Sequence, residues 1–303
     1  MRILNPFLLL ALMGSAPAIA TVLGKEPDAA ALEPRAIQKA DKAEIPRAAA
    51  AKNKGGKEKK PAKSGSHEQK YFHEPGWDAE SGHYDARYFR GKVPYEQHRP
   101  ALRHLIRSYL TTFKELGVET WLAHGSLLGW WWNGRIMPWD YDLDVQVSVA
   151  TLSFLGERYN RSIHEYEYDY DVDVDGDLDV DVDKSSSNSS EGVNTKVKKA
   201  YLLDINPHYI ALTKGNGANV IDARWIDTSN GMFIDITGLR ERNVERFPGI
   251  WSCKNNHRYR TAELWPLRRT EFEGVEAWIP YEFDKVLTDE YGTKSLVTTE
   301  WAG

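Results

Sequence analysis

Cysteine is almost missing from this 303-residue chain, which contains only Cys253. No intrachain disulfide is possible, so the chain is not a small disulfide-framework protein. A surplus of positive charge is missing as well, because 39 Lys and Arg residues face 44 Asp and Glu residues, for a net charge of −5. Since general nucleic-acid binders carry a basic surplus, we expect no nucleic-acid partner.

Long hydrophobic runs are also missing. The apolar stretch Phe7–Met13 follows Arg2 and is interrupted by Gly14, Ser15 and Pro17, so it is shorter than the roughly 18–20 apolar residues of a membrane helix. Small residues suited to signal-peptidase cleavage follow within residues 16–20. The pattern predicts a signal peptide over residues 1–20, cleaved rather than kept as an anchor, and therefore entry into the secretory pathway.

The net charge hides two segments of opposite sign. Residues 24–66 contain 11 basic and 6 acidic residues and almost no large apolar side chain, which predicts a disordered basic stem over residues 21–66. From Glu165 to Asp183 there are 10 acidic and no basic residues, and Ser-rich sequence follows. We interpret residues 165–199 as a low-complexity acidic insert in a surface loop, which leaves 67–303 as one folded domain.

The acidic insert also permits a calcium-binding interpretation. Residues 171–178 fit the first eight positions of an EF-hand loop, but position twelve is Val182 where a bidentate Glu is needed. The sequence flanking the loop does not favour helices either. A solvated insert is the preferred interpretation.

The 41% hydrophobic residues are enough for a core, and their spacing predicts both helices and strands. Apolar residues at three- and four-residue spacing indicate a helix that ends before Gly117, and Asn230-Gly231 suits the tight turn of a hairpin. The predicted elements are the helices Tyr95–Leu116 and Tyr281–Tyr291 and the strands Thr120–Ala123, Ala200–Asp204, Ala223–Thr228 and Gly231–Thr237.

Most candidate phosphate- and metal-binding residues lie within residues 121–147. Gly125-Ser126 follows a short apolar strand and precedes a Leu-rich turn of helix, where backbone N–H groups and a hydroxyl can hold a phosphate. Asp142 and Asp144 alternate with core-type aliphatic residues, so in a strand both carboxylates point to one face and can bind a hard divalent cation. Asp140 extends this alternation upstream and leaves the register open.

The Gly-Ser pair followed by two alternating aspartates resembles the nucleotidyltransferase arrangement, which implies a third carboxylate from a later strand. Asp235 lies between Ile234 and Ile236 in an otherwise apolar segment, where an unpaired carboxylate is costly to bury. Asp222 and Asp227 compete for this position, but they are nearer to turns and we interpret them as surface residues.

The run His124–Gly129, followed by Arg135 and by Pro138–Asp144, resembles the LicD family. Trp130–Trp132 and the stretch Asn219–Thr228 resemble its fungal branch, the yeast mannosylphosphorylation proteins. The similarity extends from about residue 71 to residue 301, apart from the acidic insert.

The resemblance implies an α+β, nucleotidyltransferase-like fold with a mixed sheet flanked by helices. It further implies that Asp142, Asp144 and Asp235 hold Mg²⁺ or Mn²⁺ and that Gly125, Ser126 and Arg135 contact the donor phosphates. The surface location of Arg135 is an equally open interpretation. Secondary candidates are Asp140, His124, Trp139, His208 and His257, for several of which a structural role is the alternative.

The implied activity is transfer of a phospho-sugar, such as mannose phosphate from GDP-mannose, onto mannose-containing cell-wall or glycoprotein glycans in the Golgi lumen. The partners are then a nucleotide-sugar donor and a glycan acceptor. The alternative is a non-catalytic regulator with the same fold, whose partner is a glycosyltransferase.

Overall fold

The computed structural model describes residues 70–298 except 77, 79, 170–195 and 214–217. The signal peptide, the basic stem and the centre of the acidic insert therefore lie outside the described residues. In the described part of the chain, no helix combines the length and apolar character that a membrane span requires.

Five α-helices and ten β-strands make up the regular structure of the described residues. The helices are α1 (Tyr95–Glu115), α2 (His124–Asn133), α3 (Val149–Arg158), α4 (Thr261–Leu264) and α5 (Phe283–Tyr291). The strands are β1 (Trp121–Leu122), β2 (Asp144–Ser148), β3 (Ser162–Asp169), β4 (Lys196–Ile205), β5 (Ala223–Asp227), β6 (Phe233–Glu241), β7 (Ile250–Ser252), β8 (Arg258–Arg260), β9 (Arg268–Phe272) and β10 (Val275–Ile279).

The central sheet is mixed and contains eight strands. Its main path runs β1-β2-β6-β5-β4-β3, and β7 joins β6 to β8 at the far end of β6. Among the described strands only β2 and β6 pair in parallel, while β9 and β10 form a separate two-stranded sheet. The expected α+β class with a mixed sheet flanked by helices is confirmed.

Alternation along the central strands separates an apolar face from a polar one. Val145, Ile234, Ile236, Trp225 and Leu203 share one face by alternation and register, and all belong to the main hydrophobic cluster. Helices α1 and α3 both pack against these strands and supply further buried apolar residues to that cluster. The opposite face carries Asp144, Asp235 and Arg224 beside a small apolar cluster of Leu202, Ile226 and Phe233.

The element predictions hold with small changes at the ends. The first helix ends at Glu115 as Gly117 takes a φ of +65°, and the hairpin turns at Gly231 with a φ of +89°. The strand predicted over 120–123 is shorter, and the last helix begins at Phe283 instead of Tyr281.

Strands β3 and β4 extend into the segment that the sequence assigns to the acidic insert. Residues 165–169 pair with residues 196–200 in an antiparallel ladder that ends with Asp169 opposite Lys196. Alternating Tyr166 and Tyr168 supply partly or fully buried rings to this ladder, which explains why an acidic segment still forms a strand. Only residues 170–195 remain for the insert, outside the described part.

Candidate active site

The parallel pairing of β2 and β6 brings two of the predicted carboxylates together. Asp144, the first residue of β2, is in register with Asp235 of β6, and neighbouring strands lie about 4.8 Å apart. Asp142 precedes β2, and its side chain hydrogen-bonds to that of Asp140. Four carboxylates from two segments distant in sequence therefore converge on the polar face of the sheet.

The like charges of this group disfavour ionisation. Burial raises the pKa of Asp144 to about 8, and Asp142, Asp235 and Glu290 add to the rise although His124 opposes it. Burial also raises the pKa of Asp140 to about 8, together with its contact to Asp142. A group of oxygen donors that is costly to charge without a counter-ion fits a hard divalent cation.

The Gly-Ser pair lies in the first turn of α2, and both residues contact aspartates of the carboxylate cluster. Ser126 is buried, and its hydroxyl accepts a hydrogen bond from the Asp144 backbone N–H at 3.0 Å. A Cβ on Gly125 would lie 2.9 Å from an Asp140 carboxylate oxygen. Both residues therefore position aspartates, and their contact with a donor phosphate stays a prediction.

A cavity of about 340 Å³ opens beside Asp142 and Asp235. Arg224 of β5 lies opposite Asp235 in the hairpin register, and its Nε donates to Asp235 Oδ1 at 2.8 Å. The same guanidinium donates from Nη2 to Glu74 Oε1 at 2.7 Å. Lys70 and the ring of Phe72 also line the cavity, so it combines cationic groups, carboxylates and an apolar surface.

Two comparisons with known proteins bear on this arrangement. Residues 117–171 match the model of the LicD/FKTN/FKRP nucleotidyltransferase domain, and this range contains α2, β2 and three of the converging aspartates. Over these residues the chain is similar to that family.

Two curated proteins of Saccharomyces cerevisiae are similar to this chain. Mannosyltransferase regulator 4 is 30% identical over 179 residues, and Mannosyltransferase regulator 14 is 30% identical over 182 residues; each match covers 57% of this chain. The matched regions are only 13% and 16% of the two yeast proteins. The similarity agrees with the resemblance to the fungal branch of the family.

Arg135 and Trp139 of the LicD motif lie at the surface. Arg135 is exposed, and its backbone N–H bonds to Asn133 Oδ1; Trp139 is 43% exposed. Their proposed contacts with a donor or acceptor stay predictions. Both side chains are exposed and therefore accessible to a ligand.

The three consecutive tryptophans attach α2 to the C-terminal part of the domain. Their indole N–H groups donate to a side chain of β9 and to two backbone carbonyls after α5: Trp130 to Thr270 Oγ1, Trp131 to Leu296 O and Trp132 to Ser295 O. This block therefore holds the helix that carries Gly125 and Ser126.

The predicted histidines occupy two different places. His124 begins α2, and its Nδ1 lies 2.6 Å from Glu290 Oε1, while its ring lies 4.4 Å from that of His257. His208 is in the turn after β4, where its backbone bonds to Asn206 and Lys254. His124 and His257 thus adjoin each other near Asp144, and His208 belongs to a separate turn.

The interpretation of Asp222 and Asp227 as surface residues is wrong, because both are buried. Asp222 pairs with the buried Lys254 at 2.8 Å and accepts from the Gly238 N–H. Asp227 pairs with Lys199 at 2.9 Å and accepts from Ser229 in the hairpin turn. Although both residues are near turns, they are buried, because each carboxylate forms an ion pair with a lysine that is distant in sequence.

Arg224, Glu74 and Glu290 were missed by the sequence reasoning. Arg224 carries a detectable signal, because it is a charged residue between Ala223 and Trp225 in an apolar strand, as Asp235 is in β6. Glu74 and Glu290 carry no such signal. They reach the site from segments 161 and 55 residues away from Asp235 in sequence.

Proposed function

We propose that this chain is a divalent-metal-dependent phosphotransferase that moves a phospho-sugar from a nucleotide-sugar onto a mannose-containing glycan. Mannose phosphate from GDP-mannose is the specific transfer we propose, with cell-wall or glycoprotein glycans as acceptors in the secretory pathway. The observation that carries the proposal is the convergence of Asp142, Asp144 and Asp235 beside the polar cavity. The family match and the similarity to two proteins named mannosyltransferase regulators support a role in mannosyl transfer.

The residues present fit a bound Mg²⁺ or Mn²⁺. Asp142, Asp144 and Asp235 offer only oxygen ligands. Burial raises the carboxyl pKa of Asp144 and of Asp235, so a positive ion is needed to hold these two groups in their charged form. A divalent ion held there would neutralise negative charge on the donor diphosphate during transfer. Arg224 keeps one oxygen of Asp235 in place, and Ser126 fixes the backbone of Asp144.

The cavity beside the aspartates is our proposed donor site. Lys70 lines it and supplies positive charge for phosphate oxygens, and the buried ring of Phe72 forms part of its apolar wall. An acceptor hydroxyl would lose its proton to a carboxylate of the cluster, for which the Asp235 oxygen not bonded to Arg224 is our candidate.

The test is a donor screen with the full chain in Mg²⁺ or Mn²⁺, in which the released nucleotide is identified. Release of nucleoside monophosphate marks phospho-sugar transfer, and nucleoside diphosphate marks ordinary glycosyl transfer. We expect monophosphate from wild type, none from the Asp142→Ala, Asp144→Ala double variant, and unchanged release from Asp169→Ala, an exposed carboxylate at the end of β3. Full activity in the double variant would refute the catalytic assignment.

A regulator without its own catalysis is the second candidate, favoured by the names of the two yeast relatives. In this case the partner is a mannosyltransferase, and the chain changes the rate of that enzyme. Adding the chain to a purified mannosyltransferase distinguishes the two functions. Stimulation that persists in the Asp142→Ala, Asp144→Ala variant, without nucleoside monophosphate release by the chain alone, supports the regulator.

A further inference from the structure

Three side chains from three separate elements meet next to the carboxylate cluster. His124 begins α2, His257 precedes β8, and Glu290 lies in the last turn of α5. One ligand atom of each lies within 4.8 Å of the other two. This group is distinct from Asp142, Asp144 and Asp235 in both residues and donor chemistry.

The donor set favours a different ion from the one proposed for the aspartates. Two imidazoles and one carboxylate are typical ligands of Zn²⁺, whereas Mg²⁺ prefers oxygen alone. Metal–ligand bonds of about 2.0–2.2 Å place tetrahedral ligand atoms roughly 3.3 Å apart. His124 Nδ1 and Glu290 Oε1 are 2.6 Å apart, and no two of the three ligand atoms are more than 4.8 Å apart. The ideal separation lies between these values, so small side-chain rotations are sufficient to bring the three atoms around one ion.

Buried groups orient both imidazole rings. His257 Nδ1 lies 3.3 Å from the Sγ of buried Cys253, which leaves its Nε2 for an ion. His124 Nε2 lies 3.5 Å from Nε2 of buried Gln146, and the Gln146 amide oxygen accepts from Trp121 Nε1 at 3.2 Å, so the amide presents its N–H donor to His124. The contact of His257 with Cys253 is the one that resembles the usual partner on the second ring nitrogen of a ligating histidine, which fixes the ring orientation.

The backbone provides a second and independent observation. His124 has a φ of +50°, in the left-handed region that side chains rarely adopt. Such strain persists only where the surrounding structure requires it, and it is concentrated at functional sites. Here it starts α2 with the His124 ring directed toward Glu290 and His257.

We infer that His124, His257 and Glu290 form a binding site for one zinc-type divalent cation, next to and separate from the carboxylate cluster. Three protein ligands leave one coordination position for water or for an anionic ligand. The ion links α2, the segment before β8 and α5, and thereby holds the C-terminal helix against the start of the LicD motif. This inference does not depend on the proposed transferase activity.

Zinc binding by the tag-free full chain tests the site. The metal-stripped protein is titrated with Zn²⁺ against a chromophoric chelator, with excess Mg²⁺ present to occupy the carboxylates. We expect one Zn²⁺ per chain, and a loss of affinity of at least about 10-fold in His257→Ala and in Glu290→Gln. His208→Ala serves as the matched histidine control, and we expect it and Asp142→Ala to retain the affinity.

Cobalt spectroscopy of the wild-type chain identifies the ligands even if a variant fails to fold. We expect the visible bands of tetrahedral Co²⁺ with nitrogen and oxygen ligands and no sulfur-to-cobalt band, both in wild type and in Cys253→Ser. A sulfur-to-cobalt band would overturn the donor set, since Cys253 would then be a ligand. No zinc binding, unchanged affinity in both site variants, or loss only in Asp142→Ala would each overturn the site.

Discussion

Asp144 combines three structural features of the site. Its backbone N–H is held by Ser126, its position in β2 sets it opposite Asp235, and its carboxyl pKa is raised to about 8 by burial and neighbouring carboxylates. Such an arrangement costs stability in the absence of a cation. Its physical rationale is a ligand-binding function, since a purely structural position would favour an uncharged side chain.

Replacement of Asp144 by Asn therefore has opposite effects on stability with and without metal. The folded-state pKa of about 8 lies above the ordinary value of 3.8, so the metal-free wild type loses stability as the pH rises from about 4 to about 8. An asparagine side chain does not titrate, so the Asp144→Asn variant does not lose stability at this position as the pH rises. We expect it to be roughly 1–4 kcal/mol more stable than wild type at pH 8 in EDTA, and no more stable at pH 4.

Urea denaturation across this pH range measures the difference. Added Mg²⁺ or Mn²⁺ should stabilise wild type but not the variant, because the ion binds only the folded, ionised site. Parallel stability–pH curves for the two proteins would show that the pKa of Asp144 is not raised in the folded state.

At the scale of elements, the β5–β6 hairpin is the part that connects the core to the site. Its apolar side contributes Trp225 and Ile234 to the main cluster, and its other side presents Arg224 and Asp235. The period-two alternation of a strand lets one short hairpin do both. Arg224 is 3% exposed at its side chain and pairs with both Glu74 and Asp235.

We expect Arg224→Ala to lower the free energy of unfolding by about 3–5 kcal/mol, because two carboxylates are left without their buried partner. Lys198→Ala is the matched control, since the Lys198–Glu165 pair is 58% and 64% exposed and such pairs contribute about 0–1 kcal/mol. Urea denaturation at neutral pH measures both. Equal losses in the two variants would mean that the Arg224 network does not stabilise the fold.

Two glycines of α2 are expected to respond differently to the same substitution. A Cβ at Gly129 would lie 2.5 Å from the backbone oxygen of Arg135, whereas at Gly125 it would meet the movable end of Asp140. We expect Gly129→Ala to cost about 1–3 kcal/mol through overpacking. Gly125→Ala should keep the stability but weaken Mn²⁺ binding, because it displaces Asp140 from Asp142. Thermal denaturation and calorimetric titration of each variant test this, and an inverted order of stabilities would contradict it.

At the scale of the whole molecule, β3 and β4 end close enough together for a short turn to replace the acidic insert. Asp169 and Lys196 are directly opposite in the β3–β4 ladder, so a two-residue Asn-Gly turn suffices to join them. We expect replacement of residues 170–195 by Asn-Gly to keep the proposed transfer activity and to raise the free energy of unfolding by up to about 2 kcal/mol, because the closed loop is shorter.

Denaturation and a calcium titration of this deletion variant separate the interpretations of the insert. A solvated insert predicts a folded, active variant and no specific Ca²⁺ affinity in the parent chain. Tight Ca²⁺ binding by wild type that is lost on deletion would instead support the EF-hand-like interpretation. Failure of the variant to fold would show that the insert is part of the core.

The sequence by itself determined the local elements and one side of the site. The spacing from Leu102 to Phe113 predicted α1 because a helix buries one face, and the Asn-Gly pair predicted the hairpin turn. Alternation with aliphatic residues selected Asp142, Asp144 and Asp235 for one polar face. Each of these features depends on residues close together in sequence, because the hydrophobic periodicity and the turn residues of a segment determine its local structure.

Only the tertiary structure decided which partners meet these residues. The β2–β6 pairing places Asp144 beside Asp235, and the packing of the chain brings Glu74 to Arg224 and Glu290 to His124, over separations of 150 and 166 residues. It also buried Asp222 and Asp227 against lysines, contrary to expectation. Periodicity fixes the face on which a side chain lies, but strand order and helix docking are set by the packing of the entire core, which no local pattern contains.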